Sequence, residues 1–393
     1  MWSFVLEWLN ILVRWAHLVV GIGWIGASFY FVALDLRLRK RAGSTDGVMG
    51  TAWQVHGGGF YHVEKYTVAP DDLPDDLIWY RWEAYLTWVT GFLLLILQYY
   101  FNADAYLISR AVQPLLPGQA VVISVIGLAS GWFVYDWICR SRFGQNTLAL
   151  AIAVFAMILL AAWAFGELFS GRGALIHVGA FIGTIMAVNV FGVIIPNQRR
   201  ITAALLAGKP PDPRLGATGK QRSMHNNYLT LPVLILMVSN HYPVLTGHDQ
   251  LWLVVALIVV GGAAVRHFIN RHEAGDAFAS FAWALPVIAI ALAAALWLTA
   301  PRTDSALAGL EVGEGEALAI VATHCAGCHA ARPANEAFDA PPKGVVLTSL
   351  EDLDRHSDGV MAQAVHADIM PLGNETAMSE EERQRLGAFL LAR

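Results

Sequence analysis

Apolar runs separated by polar connections dominate the first three hundred residues, near 8–34, 82–101, 119–138, 147–169, 174–195, 228–246, 250–269 and 280–300. Each approaches the ~20 residues a helix needs to cross a hydrocarbon core of roughly 30 Å. Helices are the expected form, because lipid offers no partners for open backbone groups. Trp and Tyr gather at their ends, as in WYRWEAY and YDW, where such rings prefer the headgroup level. The first run contains Arg14 and His17 and lacks the short apolar core and cleavage site of a signal peptide, so it is expected to stay as a spanning helix. Beyond residue 300 the pattern changes. PRTDSALAG at 301–309 reads as a linker, and a helix is expected over 314–326. Ser379 with Glu382 forms a capping box opening a last helix, with Leu386, Phe389 and Leu390 on one face. The expected architecture is all-α: an eight-helix transmembrane bundle over 1–300, a linker at 301–310 and a small α-helical domain over 311–393.

Composition strengthens the membrane reading. The chain is 56% hydrophobic and 15% charged, with 14 Trp, which excludes an ordinary soluble enzyme of this length. Residues 1–301 hold 19 Lys/Arg against 16 Asp/Glu, net +3, whereas 302–393 hold 7 against 15, net −8. Two differently built parts follow. Arg37, Arg39, Lys40, Arg41, Lys65 and Arg81 lie in the first connection, Arg140 and Arg142 in the third, and Arg271 in the seventh. The fifth holds Arg199, Arg200, Lys209, Arg214, Lys220 and Arg222, while the alternate connections hold only Arg110 and Arg172. The positive-inside rule assigns the richer set to the cytoplasm. In a bacterial inner membrane, both the amino terminus and the acidic tail then face the periplasm. Nothing in the chain points to nucleic acid.

HCAGCHA at 324–330 gives the tail a chemistry. Cys325, Cys328 and His329 match Cys-x-x-Cys-His, in which two thioethers hold a haem c and the His becomes an axial ligand. In bacteria that attachment is made outside the cytoplasm, in agreement with the charge pattern. A zinc site needs further ligands, and the remaining cysteine, Cys139, lies at a membrane helix end. The sixth iron ligand of such a haem is commonly Met, which raises the potential. Met370, in IMPLGNETAMS, is preferred because Pro371 holds it extended and suits a loop laid over the haem face. Met378 is the alternative. The tail resembles a small class I cytochrome c domain.

Polar groups inside the bundle fall at two levels. His17, His177 and His241 lie toward the outer side, as candidate iron ligands of a haem b between helices. Arg14 shares the face of His17 and is placed to meet a propionate, while Gly23, Gly26, Gly179 and Gly183 permit close approach. Simple hydrogen bonding across helices accounts for the same histidines. Toward the cytoplasm, three stretches make a candidate pocket: His56, His62, Glu64 and Lys65 of HGGGFYHVEKY; Asn197, Gln198 and Arg199; and His225, Asn226 and Asn227. Such groups offer a planar anion both charge and an edge of donors and acceptors. Arg200, Arg214 and Arg222 read as ordinary positive charges of the connection.

The stretches RWAHLVVGIGWIGASFYF, AWQVHGGGFYHVEKY, HVGAFIGTIMAVNVFGVIIPNQRR and HNNYLTLPVLILMVSNHYP resemble the amino-terminal membrane domain of bacterial membrane-bound urate hydroxylase, which carries a cytochrome c domain at its carboxyl end. The resemblance runs in order from residue 1 to about 300. It implies oxidation of urate to 5-hydroxyisourate, with water supplying the oxygen and cytochrome c taking the electrons. A base and hydrogen-bonding anchors are then needed; His56, His62 or His225 is the candidate base, with Glu64 orienting and Arg199 or Lys65 holding charge. Urate bound near the cytoplasm lies most of ~30 Å from a periplasmic haem, which is why an intramembrane haem b is expected. A downstream cytochrome or terminal oxidase is the expected acceptor, met by the acidic tail. Two other readings share the sequence: a quinol-oxidising respiratory cytochrome indifferent to urate, and a membrane anchor with a passive cytochrome tether.

Overall fold

The computed structural model describes the chain except residues 1, 42–46, 71–72, 75, 301–306, 308, 337 and 368, so most of the expected linker lies outside the described residues. The first helix, α1 (Trp2–Arg37), leads into a two-stranded hairpin, β1 (Val48–His56) and β2 (Gly59–Tyr66). The membrane part continues with α2 (Trp82–Leu95), α3 (Pro117–Arg140), α4 (Thr147–Gly166), α5 (Gly171–Val188), α6 (Pro213–Val238), α7 (Leu251–Ala274) and α8 (Ala284–Leu298). The tail contributes α9 (Glu314–His324), α10 (Leu350–Arg355) and α11 (Glu380–Leu391).

Among the described residues, six helical stretches are long and apolar enough to cross a membrane: Phe4–Arg37, Pro117–Arg140, Thr147–Gly166, Gly171–Leu206, Leu251–Ala274 and Phe278–Leu298. This fits a multi-pass membrane protein. Two of the eight expected spans differ. The run at 82–101 forms the 14-residue α2 and then a π-helical turn, Ile96–Tyr100. The run expected at 228–246 belongs to a helix that starts earlier, at Pro213, and stops at Val238, so its first half is the polar PRLGATGKQRSMHNN.

Local chemistry explains several boundaries. Asn146 and Ser170 cap α4 and α5 by accepting from Ala149 N and Gly173 N, each at 3.0 Å. Pro117 and Pro213 occupy the first turns of α3 and α6, where a missing N–H costs nothing. Helix α5 sits at the centre, with Leu175, Val178, Ile182 and Ile185 fully enclosed by neighbouring helices. Gly179 lets Leu236 and Met237 of α6 approach, so this glycine serves helix packing. Beyond Val188 the helix passes through a π-helical stretch, Asn189–Ile194, before continuing as Ile195–Leu206.

The all-α expectation fails at HGGGFYHVEKY. His56 pairs with Gly59, and Gly57 and Gly58 make the turn with φ of 59° and 79°. Two successive positive φ values are what a tight hairpin turn requires and what glycine supplies. In the tail, Ala317, Val321, Leu353, Leu386, Phe389 and Leu390 form a separate core, with Cys325, Met361 and Met370 packed against it. The capping box is present, Ser379 N donating to Glu382 Oε2 at 2.8 Å. The tail rests on the connection between α2 and α3, where Arg110 N donates to Gly373 O at 3.3 Å.

Candidate functional site

A buried polar cluster lies where α3, α5 and α6 meet. Tyr135 and Asp136 come from the last turns of α3, Asn189 from the π-helical stretch after α5, and Arg222, His225 and Asn226 from the polar first half of α6. The spacing 222, 225, 226 places three side chains on one side of a helix. Tyr135 hydroxyl meets His225 Nδ1 at 2.6 Å and accepts from Asn189 Nδ2 at 3.0 Å. Asn189 Nδ2 also donates to Asn226 Oδ1 at 2.9 Å, and Asn226 Nδ2 donates to Met186 O at 2.9 Å. Arg222, only 1% exposed, donates to Asp136 Oδ1 at 2.7 Å and lies 4.9 Å from the Tyr135 ring centroid. Arg140 holds the other Asp136 oxygen at 2.6 Å. On the far side of α6, Asn270 Nδ2 of α7 donates to Asn227 Oδ1 at 2.7 Å.

The cluster is only partly satisfied. Among the described residues, Arg222 Nε and Nη1, Asn227 Nδ2 and the acceptors Asn189 Oδ1 and Asn270 Oδ1 have no hydrogen-bond partner. An orphaned buried donor costs roughly 1–3 kcal/mol, more if charged, and native interiors rarely tolerate several together. His225 uses Nδ1 on Tyr135, and among the described residues no hydrogen bond is formed at its Nε2. Two unused guanidinium donors, carboxamides and an available imidazole nitrogen match the needs of a planar, hydrogen-bonding anion. A π-helical distortion beside such a cluster is a recurrent mark of functional sites.

The expected inner pocket is therefore brought together only in part. His225, Asn226 and Asn227 belong to the buried network. The hairpin residues do not join it: His56 and His62 are exposed, and His62 stacks on Trp53 with centroids 4.4 Å apart. Glu64 accepts from Tyr66 hydroxyl at 2.6 Å and stands 3.8 Å from His62, while Lys65 pairs with Asp35 of α1 at 2.7 Å. Arg199 and Gln198 are exposed in the helix after the π stretch, and Asn197 donates to Leu215 O at 3.1 Å. Arg222, read from sequence as a connection charge, is instead the buried cation. Its signal was its position three residues before His225, one helical turn away. Asp136, within YDW, was hidden by the aromatic pattern around it.

The outer residues are dispersed. His177 is fully buried, and both its ring nitrogens are engaged, Nε2 with Ser124 Oγ and Nδ1 with Gly173 O, each at 2.6 Å. His17 Nδ1 meets Thr87 O at 3.1 Å and Thr90 Oγ1 at 3.0 Å, so it ties α1 to α2. His241 is exposed on the turn after α6, and Arg14 donates to Gln98 Oε1 at 2.7 Å. Hydrogen bonding across helices accounts for His17 and His177. His177 would have to exchange its bond to Ser124 for iron before it could serve a haem b, whereas His17 bonds through Nδ1. Among the described residues, no three His, Cys, Asp or Glu side chains group as a metal site.

The tail residues fit a covalent haem. Cys325 and Cys328 are free thiols on the turn after α9. His329 Nδ1 meets Val345 O at 3.0 Å, which orients the ring and leaves Nε2 for iron. Burial and the neighbouring Cys328 push the Cys325 thiol up to about 11. Met370 is half-buried against the tail core, its carbonyl accepting from Arg383 at 2.6 Å, whereas Met378 is 3% exposed within that core. The partly open methionine is the better placed to turn toward an added group.

No curated protein and no solved structure matches the chain. The family model described as urate oxidase N-terminal matches residues 3–299, the whole helical bundle and its hairpin but not the tail. A match over that much of the sequence decides the family: the chain belongs to the urate oxidase N-terminal family.

Proposed function

We propose that the chain is a membrane-bound, oxygen-independent urate hydroxylase that converts urate to 5-hydroxyisourate and passes the electrons to its own haem c-bearing tail. Family membership supports a urate-related oxidoreductase. The single observation that carries the placement of the site is Arg222, buried, paired on one side with Asp136 and left with unused donors on the other. Urate is a planar anion with carbonyl and N–H edges. Arg222 binds its charge, and Asn226 and Asn189 read its edge. His225 Nε2 takes a proton as the ring is oxidised, its orientation fixed by the Tyr135 hydroxyl at Nδ1. The balance is urate plus water giving 5-hydroxyisourate, two protons and two electrons.

The haem that Cys325, Cys328 and His329 would hold, with Met370 as sixth ligand, would supply a one-electron acceptor most of the bilayer away from the cluster; a haem b held by His17, His177 and His241 would supply the relay between them, and a downstream cytochrome or terminal oxidase would take the electrons onward. Tail placement supports a periplasmic acceptor: it touches the connection that holds Arg110, one of the ends poor in Lys and Arg. Asp136 and Arg222 lie at the opposite, cation-rich ends of α3 and α6. Anaerobic mixing of urate with the oxidised, haem-loaded protein tests the reading. The c-type absorption band shifts to its reduced form if it is right. A band unchanged by urate, yet reduced by quinol, returns the chain to the respiratory alternative.

A further inference from the structure

The hairpin that the site does not use has an orientation of its own. Its strands do not project away from the bundle. Arg39 and Thr51 exchange backbone hydrogen bonds of 3.1 and 3.0 Å, which locks β1 antiparallel to the chain just past the end of α1. Tyr30 hydroxyl then donates to Gln54 Oε1 at 2.9 Å. Tyr30 lies seven positions before Arg37, the last residue of α1, about 10 Å back along the helix, and the strand from Thr51 to His56 covers about 16 Å in the same direction. The turn therefore points back toward the membrane, past the level of Tyr30.

That level is marked by aromatic rings and cations. Phe31 meets Tyr80 with centroids 4.8 Å apart, Arg266 lies 3.7 Å over Phe29, and Trp283 meets His267 at 4.9 Å. Rings of this kind gather at the boundary between headgroups and acyl chains. At the hairpin tip, Val55 is 72% exposed and Phe60 78% exposed, with Trp53 and Tyr61 also uncovered. Large apolar side chains so open are costly in water and ordinary in lipid. His56 and Gly59 pair across the two-residue turn, and the outer strand edges keep the water and headgroup partners that the interfacial layer offers and the hydrocarbon core does not.

We propose that the tip of the hairpin, residues 55–60, inserts into the interfacial layer of the bilayer that the bundle spans, with Val55 and Phe60 as its anchors. The occupant of the tip is the lipid surface, and the hairpin is a membrane-dipping clasp on α1. The test uses Val55→Cys and Phe60→Cys in the full chain, each carrying an environment-sensitive fluorophore, in phosphatidylcholine and phosphatidylglycerol vesicles. Met49→Cys, at the other end of the hairpin and also exposed, is the reference, and unlabelled positions are checked on the parent protein. Labels at 55 and 60 are expected to emit to the blue of the label at 49 and to lose most of their emission when the acyl chains are brominated. Equal quenching of all three by aqueous iodide, with no effect of brominated lipid, overturns the proposal. Shielding at 55 and 60 that appears only with urate also overturns it, since the hairpin would then be a lid.

Discussion

Removing either partner of the Arg222–Asp136 pair should have unequal consequences. In Asp136→Ala, the guanidinium of Arg222 stays 1% exposed and loses its only carboxylate, leaving the Tyr135 ring as its nearest favourable neighbour. An uncompensated buried charge of this kind costs about 3–5 kcal/mol. In Arg222→Met, Asp136 keeps Arg140 at 2.6 Å and is 19% exposed on its side chain. The apolar replacement also removes two orphaned donors, so the loss of stability should stay below about 1.5 kcal/mol. Function should fall in the opposite order. If Arg222 stabilises the urate anion through oxidation, Arg222→Met lowers kcat/KM by about 10²–10³-fold, or ~2.7–4 kcal/mol, by analogy with the loss of one preorganised electrostatic donor. Both effects are measurable in lipid nanodiscs, by thermal unfolding and by urate-driven haem reduction. Urate at about 100 times its Kd should add about 2.7 kcal/mol of stability to the parent and none to Arg222→Met. A methionine variant that still binds and turns over urate refutes the assignment of the cluster as the substrate site.

Other outcomes follow from the same geometry. His225→Gln should cut urate turnover by about 10²–10⁴-fold while quinol or dithionite still reduces the tail; Tyr135→Phe, which frees His225 Nδ1, should cost less and shift the pH profile of turnover. Replacing either methionine distinguishes ligand from core: Met370→Ala should lower the haem reduction potential, whereas Met378→Ala should keep the potential and destabilise the tail by about 2–5 kcal/mol. Equal potentials in the parent and Met370→Ala would remove that ligand assignment. Hydrogen bonds from Ser379, with His324 beside it, hold the Glu382 carboxyl down at about 2. Its contribution to tail stability is therefore present above the ordinary carboxylate range and lost as pH falls from about 4.5 toward 2. Acid titration of the tail's unfolding checks this, and Glu382→Gln should flatten the dependence in that window.

Much of the bundle was legible because lipid imposes a simple rule on sequence: about 20 apolar residues, closed by aromatic rings and cations. Where that rule fails, the reasons are local. The polar start of α6 enters the bundle because Arg222, Asn226 and Asn227 find partners on other helices, a compensation no window of hydropathy reveals. HGGGFYHVEKY reads as a polar, histidine-rich loop, yet alternation of side chains and two left-handed glycines make it a hairpin whose histidines stay outside the buried network.

The candidate site divides in the same way. CAGCH places two thiols and an imidazole by covalent spacing alone, so the proposal of a haem in the tail rests on sequence by itself, and the run of apolar segments determined that the rest is built for a membrane. Which polar residues of the bundle face one another was decided only in three dimensions. Tyr135, Asp136, Asn189, Arg222 and His225 are scattered over ninety positions, and of these only His225 stands out in the sequence. Their meeting depends on helix order and rotation, which set the Arg222 contact with Asp136 and leave its remaining donors unsatisfied. Periodicity records which face of a helix is apolar; it does not record which neighbour that helix will meet.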